Sequence, residues 1–350
     1  MRARAALVRT PGGPFAIEDV EIDEPAADEV LVRITAAGIC HTDLAMSRAW
    51  PARLLPMVFG HEGAGVVEAV GDRVTTVSPG DRVCLSFRSC GTCPECAAGR
   101  RAYCLRSDLN TRGGRKNAID SAHGDFFGQS SFATYALSHA DNTIRIPDDY
   151  PDTLAAPLGC GVQTGAGTVI NVLRSRPGDS LIVFGAGGVG LSAVMAAAAN
   201  GVTVIAVDPI PSRRELARDL GAADALDPAA PDLAGALREL TGGGAHQAID
   251  TTGRGGVIRQ AIGALRRRGT LALVGMGGTA EFDIMTVMTN GIEIRGVIEG
   301  DAEPSTFIPK LIEMNLPLQK IIAEYVFDDI QTAVEDAAAG RVVKPVLRIG

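Results

Sequence analysis

A glycine-rich turn between a strand and a helix constrains the fold of this 350-residue chain more than any other feature. The turn reads Gly185-Ala186-Gly187-Gly188-Val189-Gly190 and fits the G-x-G-x-x-G pattern. It follows the apolar run Leu181–Phe184 and precedes the alanine-rich stretch Leu191–Asn200. Because a strand, such a turn and a helix are the start of a βαβ unit, the pattern predicts a doubly wound domain with a parallel sheet.

The alternation of short strands and helices continues through the middle of the chain. Three further apolar runs are predicted to be strands: Val202–Val207, Ala248–Asp250 and Leu271–Val274. Between the first two, Ser212–Leu220 has the charged, amphipathic pattern of a helix. Strands this short and this apolar are typical of parallel sheets that helices cover on both faces.

The two ends of the chain have the pattern of β-rich structure punctuated by Pro and Gly. The predicted strands there are Val30–Thr35, Gly63–Val70 and the final segment Val342–Ile349. We therefore predict an α/β fold with two domains. Residues 1–161 and 299–350 form a β-rich domain that carries a cysteine-containing lobe at 90–104, and a doubly wound, dinucleotide-binding domain is inserted at residues 162–298.

Each glycine of the turn has a physical role in a dinucleotide site. Gly185 permits the tight turn, Gly187 lets the backbone approach a pyrophosphate, and Gly190 lets the helix pack on the strand. The helix that begins near Gly188 and Val189 offers free N–H groups and a partial positive charge to the phosphates. A glycine turn without a ligand is the alternative interpretation.

An acidic residue at the end of the next strand favours NAD over NADP. Asp208 lies 23 residues after Gly185 and can accept hydrogen bonds from both hydroxyls of an adenosine ribose. Its charge would also repel a 2′-phosphate. Arg213 and Arg214 are close in sequence and could either screen Asp208 or line the ribose.

Four cysteines within fifteen residues predict a structural metal site. Their spacing is C-x2-C-x2-C-x7-C, at Cys90, Cys93, Cys96 and Cys104. Tetrahedral zinc accepts four thiolates, and such a closed site is structural because no position is left for water. An iron–sulfur cluster and a nucleic-acid zinc module are the alternatives, although the last spacing is too long for the common bacterial cluster.

Three more potential metal ligands are scattered along the chain: Cys40, His61 and Cys160. Two thiolates and one imidazole, with water in the fourth position, form a known catalytic zinc arrangement. Glu62 could be an occasional fourth ligand, and Asp43 could orient the His61 ring. No spacing rule brings these residues together, and Cys160 could equally be a plain buried thiol.

Charge and cysteine usage exclude several classes of protein. The chain has 33 Lys and Arg against 41 Asp and Glu, a net charge of −8, which argues against a nucleic-acid partner because phosphate binding needs a basic patch. The odd number of cysteines and the absence of a secretion-signal pattern favour reduced thiols and a cytoplasmic location. The uncharged segment 180–207 is long enough to span a bilayer, but its glycines favour strand, turn, helix and strand, so we expect no membrane partner.

Several motifs together resemble the zinc-containing medium-chain alcohol dehydrogenases. Besides the cysteine cluster and the glycine turn, they are Gly38–Asp43 (GICHTD), Gly60–Gly65 (GHEGAG) and Gly159–Gly161 (GCG). Within that family the chain looks most like the aryl-alcohol (benzyl-alcohol) dehydrogenases, on the stretches His123–His139, Pro157–Leu173, Val297–Leu311 and Val343–Leu347. The resemblance implies a Rossmann domain and a β-rich, GroES-like catalytic domain.

The resemblance also implies roles for individual residues. Cys40, His61 and Cys160 would bind a catalytic zinc ion, one of two per chain. Thr42 would place its hydroxyl beside the substrate oxygen. The residues implied at the cofactor are His41 at the pyrophosphate, Thr164 and Val189 at the nicotinamide, Val274 and Met276 at the carboxamide and pocket, and Lys344 at the phosphates.

One departure from the family concerns the proton relay. Many members have a histidine five residues after the first cysteine ligand, where Ala45 stands in this chain. The relay must therefore end on ribose, water or another side chain. Candidate walls of the substrate pocket, each with core packing as its alternative, are Trp50, Phe59, Phe87 and Ile298.

These features predict a zinc-dependent enzyme that reversibly oxidises benzylic primary alcohols to aldehydes with NAD, so its partner is a small-molecule alcohol or aldehyde. The first alternative is an allylic terpenoid alcohol of the geraniol type, and the second is glutathione-dependent formaldehyde oxidation. A non-catalytic NAD-binding sensor is the alternative outside the enzymes. Strand-like Ile292–Ile298 could pair across a two-fold axis, as in family members, to form a homo-dimer or homo-tetramer.

Overall fold

The computed structural model describes residues 1–111 and 122–350. The chain packs as two compact units. The β-rich unit consists of Met1–Cys160, Glu303–Met314 and Leu318–Gly350. The α/β unit consists of Gly161–Ala302 and Asn315–Pro317.

The strands of the described residues are, in chain order, β1 (Arg2–Val8), β2 (Ala16–Glu21), β3 (Glu29–Gly38), β4 (Met57–Val58), β5 (Gly63–Val70), β6 (Arg82–Leu85), β7 (Tyr135–His139), β8 (Thr143–Arg145), β9 (Ser180–Phe184), β10 (Thr203–Val207), β11 (Asp224–Leu226), β12 (Ala245–Asp250), β13 (Leu265–Leu273), β14 (Glu293–Gly296), β15 (Ile322–Val326) and β16 (Lys344–Arg348).

The α-helices are α1 (His41–Ala49), α2 (Pro94–Ala97), α3 (Asp108–Thr111), α4 (Asp152–Ala155), α5 (Gly161–Gly167), α6 (Gly188–Ala199), α7 (Pro211–Asp219), α8 (Leu233–Leu240), α9 (Gly255–Ala264), α10 (Ile284–Asn290), α11 (Pro304–Glu313) and α12 (Ile330–Ala338).

The α/β unit is built on a six-stranded parallel sheet in the order β11-β10-β9-β12-β13-β14. The chain begins at the centre with β9, moves outward through β10 and β11, and then continues on the other side with β12. Every residue of β9 is buried, as expected for a parallel strand that helices cover on both faces. The predicted doubly wound sheet is therefore confirmed, with its topological switch between β9 and β12.

The β-rich unit contains a seven-stranded sheet and a three-stranded one. The first has the order β15-β16-β3-β5-β6-β8, with β7 also pairing with β3, and the second has the order β2-β1-β4. Strands β3 and β5 pair antiparallel along most of their length. Apolar side chains of β3, such as Val30, Val32 and Ile34, lie in a core that also holds Phe59 and Phe132. The strands predicted near both ends of the chain are thus present.

The apolar segment 180–207 is a strand, the glycine turn, helix α6 and the next strand, as predicted. Helix α6 is rich in alanine, which loses little side-chain entropy in a helix and allows close packing against the sheet. In the part of the chain that the structure describes, no helix combines the length and the apolar character that crossing a membrane requires.

Candidate active site

Two thiols, an imidazole and a carboxylate converge inside the β-rich unit. One ligand atom each from Cys40, His61, Glu62 and Cys160 lies within 4.8 Å of the other three. Cys40 immediately precedes α1, His61 and Glu62 lie between β4 and β5, and Cys160 is the last residue before α5. The tertiary fold therefore brings together the three ligands that the sequence leaves scattered.

The buried carboxylate of Asp43 holds two of these residues in position. Asp43 Oδ2 accepts a hydrogen bond from the backbone N–H of Cys40 at 3.0 Å. Its Oδ1 accepts from the backbone N–H of Gly60 at 3.1 Å and lies 2.9 Å from Nδ1 of His61. Because Nδ1 is engaged, Nε2 of His61 is the ring nitrogen left for a metal. This Nε2 is buried and has no hydrogen-bond partner among the described residues.

The chemistry of the sulfur donors also fits a metal ion. Hydrogen bonding with Cys160 lowers the pKa of the Cys40 thiol well below its usual value, against the effect of burial, and the positive charge of Lys344 adds to this. A thiolate is the form of cysteine that binds metals. The hydroxyl of Thr42 lies 3.7 Å from the Cys40 sulfur, next to the cluster. An unpartnered buried nitrogen beside a low-pKa thiol is the donor set that zinc accepts.

Glu62 forms a buried ion pair with Lys344. The ammonium Nζ lies 2.9 Å from both carboxylate oxygens of Glu62, and 3.4 Å from the carbonyl oxygen of Ile39. Burial alone would lower the pKa of Lys344, but the Glu62 carboxylate raises it, so that the ammonium stays charged. Its three contacts are thus with oxygens of the β-rich unit, and the role of Lys344 at the cofactor phosphates stays a prediction.

Two residues next to His61 were missed by the sequence analysis. The ring of Phe127 lies 4.7 Å from the His61 ring, centroid to centroid, with an interplanar angle of 32°. Gln129 donates from Nε2 to the carbonyl oxygen of His61 at 2.9 Å and accepts from the backbone N–H of Gly63 at 3.0 Å. Both lie in His123–His139, a stretch whose only signal in the sequence is its family resemblance.

The candidate walls of the substrate pocket divide into buried and exposed residues. Phe59 is fully buried, and its ring packs edge to face against that of Trp50, with the centroids 5.4 Å apart. Phe87 is also buried. Ile298, in the α/β unit, is exposed. Core packing therefore accounts for Phe59 and Trp50.

The four cysteines of the lobe form a second cluster. One ligand atom each from Cys90, Cys93, Cys96 and Cys104 lies within 4.8 Å of the others. Backbone N–H groups donate to the sulfurs, for example from Cys93 to Cys90 and from Cys90 to Cys104, both at 3.3 Å. Such bonds from Thr92 and Cys93 lower the pKa of Cys90 to about 6. Burial raises the pKa of Cys96 to about 12, but the four sulfurs lie close enough to one another to fit a structural metal site.

The glycine turn of the α/β unit has the geometry of a phosphate-binding loop. Gly185 has φ +93°, a conformation that favours glycine. A Cβ atom at Gly190 would overlap the carbonyl oxygen of Gly185, whereas a Cβ at Gly187 would meet no described atom within 4 Å. Gly188 and Val189 form the first turn of α6. The open space at Gly187, before free helix N–H groups, fits a pyrophosphate.

Asp208 directly follows β10, so it lies at the carboxyl ends of the strands, as does the glycine turn after β9. Its Oδ2 accepts from the backbone N–H of Ala186 at 2.7 Å and its Oδ1 accepts from that of Ile210 at 2.9 Å. Arg214 donates to the carbonyl oxygen of Asp208 at 2.7 Å and forms an ion pair with Asp227 at 3.0 Å. The predicted ribose acid is thus held against the turn, and Arg214 is engaged with acidic and carbonyl oxygens.

The other residues implied at the cofactor lie in different surroundings. Thr164 is buried in α5, where its hydroxyl donates to Oε2 of Glu299 at 3.3 Å. Val189 is half-buried, Val274 donates its backbone N–H to the Asp250 carbonyl oxygen at 2.9 Å, and Met276 is exposed. In the β-rich unit His41 is exposed at the start of α1, and Arg213 of the α/β unit is half-buried on α7.

Comparison with known proteins identifies two family profiles in the chain. Residues 26–148 match the alcohol dehydrogenase GroES-like domain. Residues 188–314 match the zinc-binding dehydrogenase domain. The first profile therefore covers Cys40, His61 and Glu62, and the second begins within the glycine turn, at the start of α6.

Individual relatives align over nearly the whole chain. A geraniol dehydrogenase of Castellaniella defragrans is 44% identical, over 99% of this chain and 97% of its own. A benzyl alcohol dehydrogenase structure from Acinetobacter calcoaceticus has a TM-score of 0.97 and 40% identity, covering 100% of both chains. An alcohol dehydrogenase zinc-binding domain protein from Burkholderia ambifaria has a TM-score of 0.97 and 45% identity, covering 100% of this chain and 99% of its own.

Proposed function

Since the chain belongs to the zinc-containing medium-chain alcohol dehydrogenases, we propose that it oxidises benzylic primary alcohols to aldehydes with NAD as the hydride acceptor. The observation that carries this proposal is the convergence of Cys40, His61 and Cys160 with an unpartnered imidazole nitrogen. Three protein ligands of this kind leave room for a substrate oxygen at the metal. A non-catalytic NAD-binding sensor would have no need of such a cluster.

The chain's own residues would prepare the alcohol for oxidation. A zinc ion held by Cys40, His61 and Cys160 supplies Lewis-acid chemistry, which lowers the pKa of a bound water from about 15.7 to near 7 and should act similarly on an alcohol. Thr42, whose hydroxyl lies 3.7 Å from the Cys40 sulfur, would accept the alcohol proton while it passes its own hydroxyl proton to a relay that ends on ribose, water or another side chain. Asp43 would keep the His61 ring in the tautomer that presents Nε2.

NAD is the cofactor that the α/β unit favours. Its sheet has a dinucleotide topology, and the glycine turn leaves open space at Gly187. A negative charge at Asp208 would attract ribose hydroxyls and repel a 2′-phosphate. Arg214, which already pairs with Asp227, would be a poor partner for that phosphate.

Aromatic surroundings of the cluster support a flat, unsaturated alcohol. The rings of Phe126 and Phe127 both lie beside His61, at centroid distances of 5.7 Å and 4.7 Å. Flat rings and double bonds pack well against aromatic faces. Allylic alcohols are the second candidate class, because the geraniol dehydrogenase relative is 44% identical over nearly the whole chain.

Initial rates of NADH formation with three alcohols would test this function. The purified chain, supplied with zinc and NAD, should show the highest kcat/KM with benzyl alcohol, then geraniol, and at least about tenfold less with ethanol because ethanol loses apolar contacts. NADP should replace NAD poorly. Ethanol as the best substrate, or no NADH with any of the three, would contradict the proposal, and a clear preference for geraniol would select the second class.

A further inference from the structure

Glu299 is a buried carboxylate of the α/β unit and has no role in the alcohol oxidation proposed for Thr42 and the metal ligands. It lies three residues beyond the end of β14 and is 9% exposed. Its Oε2 accepts hydrogen bonds from Nε2 of Gln163 at 3.0 Å and from the hydroxyl of Thr164 at 3.3 Å. Two neighbouring side chains of α5 thus hold one carboxylate oxygen in place.

The backbone around Glu299 is strained and fastened to α5. Glu299, Gly300 and Asp301 have φ values of +51°, +64° and +50°, a left-handed run that two non-glycine residues adopt only unfavourably. Nδ2 of Asn171 donates to the carbonyl oxygen of Gly300 at 3.0 Å. Strain of this kind persists where the surroundings impose it, and it is concentrated at functional sites.

Glu299 follows β14, the last strand of the sheet, and this position places it on the nicotinamide side of the expected cofactor. Dinucleotides bind at the carboxyl edge of such a sheet, across the switch between β9 and β12. Asp208, expected at the adenosine ribose, follows β10 on one side of β9, whereas Glu299 follows β14 on the other. Helix α5, which carries Thr164, packs closely against the glycine-turn helix, because a Cβ atom at Gly165 would overlap the carbonyl oxygen of Val189.

We propose that the Glu299 carboxylate selects the oxidised form of the cofactor. The nicotinamide ring is positively charged in NAD and neutral in NADH, so a fixed negative charge nearby stabilises the oxidised form alone. Such an attraction is stronger in a buried site than in water. The inference rests on the proposed function, since it takes Thr164 to contact the nicotinamide, and it makes Glu299 a specificity-determining residue for the redox state of the cofactor that occupies the site.

Dissociation constants of the zinc-loaded protein for NAD and NADH would test the proposal. Glu299→Gln removes the charge but keeps the shape and one oxygen acceptor. We expect its Kd for NAD to rise about tenfold while its Kd for NADH changes less than about twofold, as calorimetry and NADH fluorescence would measure. Equal changes in the two constants, or no change in either, would overturn the proposal.

Asp301→Asn is the matched control, because it removes an exposed carboxylate from the same turn. It should leave the ratio of the two constants unchanged. Glu299→Asp, which keeps the charge, should retain most of the preference of the original protein. If Glu299→Gln does not fold, Gln163→Lys would neutralise Glu299 through its 3.0 Å contact and should shift the ratio in the same direction; an unchanged ratio in that folded variant would also overturn the proposal.

The outcome separates this inference from the proposed function. If the unmodified chain binds neither NAD nor NADH, the proposed function fails. If it binds both and Glu299→Gln leaves their ratio unchanged, only the role of Glu299 fails.

Discussion

At the scale of single residues, Asp43 shows how one carboxylate can prepare a metal site. It contacts the backbone of Cys40 and of Gly60 as well as the ring of His61, so the first two candidate ligands share one support. Partners of this kind fix the tautomer and the direction of a ligating histidine. Cys160, which comes from a distant part of the sequence, completes the set.

Substitution of the candidate ligands should separate catalysis from cofactor binding. Cys40→Ser and His61→Ala each remove a donor from the cluster, so we expect one zinc ion less per chain and a loss of activity greater than about 100-fold, since even supporting residues typically cost 10–100-fold. NADH affinity, measured by fluorescence, should stay near that of the original protein. Full activity in both variants would refute the ligand assignment.

Cys84→Ser is the control for these variants. Cys84 is a buried thiol of β6 outside both clusters, and its sulfur donates to the carbonyl oxygen of Ala155 at 3.2 Å. A serine hydroxyl can make the same hydrogen bond. Zinc content and activity should therefore remain within about twofold of the original values; a large loss would show that the assay responds to general damage.

At the scale of elements, the strand–turn–helix segment from β9 to α6 contains glycines with two different purposes. Gly190 has no room for a side chain, because the carbonyl oxygen of Gly185 occupies that place. Gly187 faces open space and has φ −84°, which an alanine adopts readily. The first glycine serves packing, whereas the second leaves room for a ligand.

Alanine substitutions at these two positions should affect different properties: stability at Gly190 and cofactor binding at Gly187. Gly190→Ala should lower the free energy of unfolding by about 1–3 kcal/mol, the usual cost of overpacking, as urea denaturation would measure. Gly187→Ala should leave that free energy within about 0.5 kcal/mol but weaken NADH binding at least tenfold. The same effect on stability at both positions, or normal NADH binding by Gly187→Ala, would contradict this division of roles.

The cysteine lobe is the second element whose role can be isolated. Cys96→Ser should release one zinc ion per chain and lower the unfolding temperature, because metal binding stabilises a small loop-rich segment. Cofactor affinity should be preserved, since the glycine turn belongs to the other unit. Thr92→Ala, which removes only a hydroxyl 3.8 Å from the Cys90 sulfur, is the control and should keep both metal ions. A Cys96→Ser variant that keeps two zinc ions would disprove a structural metal site here.

At the scale of the whole molecule, the α/β unit presents an edge strand preceded by exposed apolar residues. Strand β14 is the last strand of the six-stranded sheet, within the predicted segment Ile292–Ile298. In α10, just before it, Ile284, Met285 and Met288 are 75%, 56% and 62% exposed. Edge strands can pair with other chains, and exposed apolar groups mark protein contacts. We propose that two copies of the chain associate here.

Charged substitutions in α10 should therefore separate the two copies that we propose associate here. The double variant Ile284→Glu/Met288→Glu should place carboxylates in the contact and reduce the mass measured by light scattering to that of one chain. Leu240→Glu is the control, because Leu240 is a 42% exposed leucine at the end of α8 and should leave the mass unchanged. An unaltered mass in the double variant, or a monomeric original protein, would reject this interface.

Local patterns in the sequence determined the elements and the class of fold. Apolar and β-branched residues predict the strands β3, β5, β9 and β10. The glycines at its start and the alanines along it predict helix α6. The comparisons confirm the predicted family. These features are readable because strand and helix periods, turns and closely spaced cysteines involve residues that are near each other along the chain.

Only the tertiary structure decided which distant residues meet. It brought Cys160 to Cys40 and His61, paired Lys344 with Glu62, and placed Gln129 in contact with the backbone of His61. It also placed the Glu299 carboxylate in hydrogen-bond contact with Thr164, through a segment whose φ angles are positive. No periodicity encodes such contacts, because their distances result from the packing of whole strands and helices against one another.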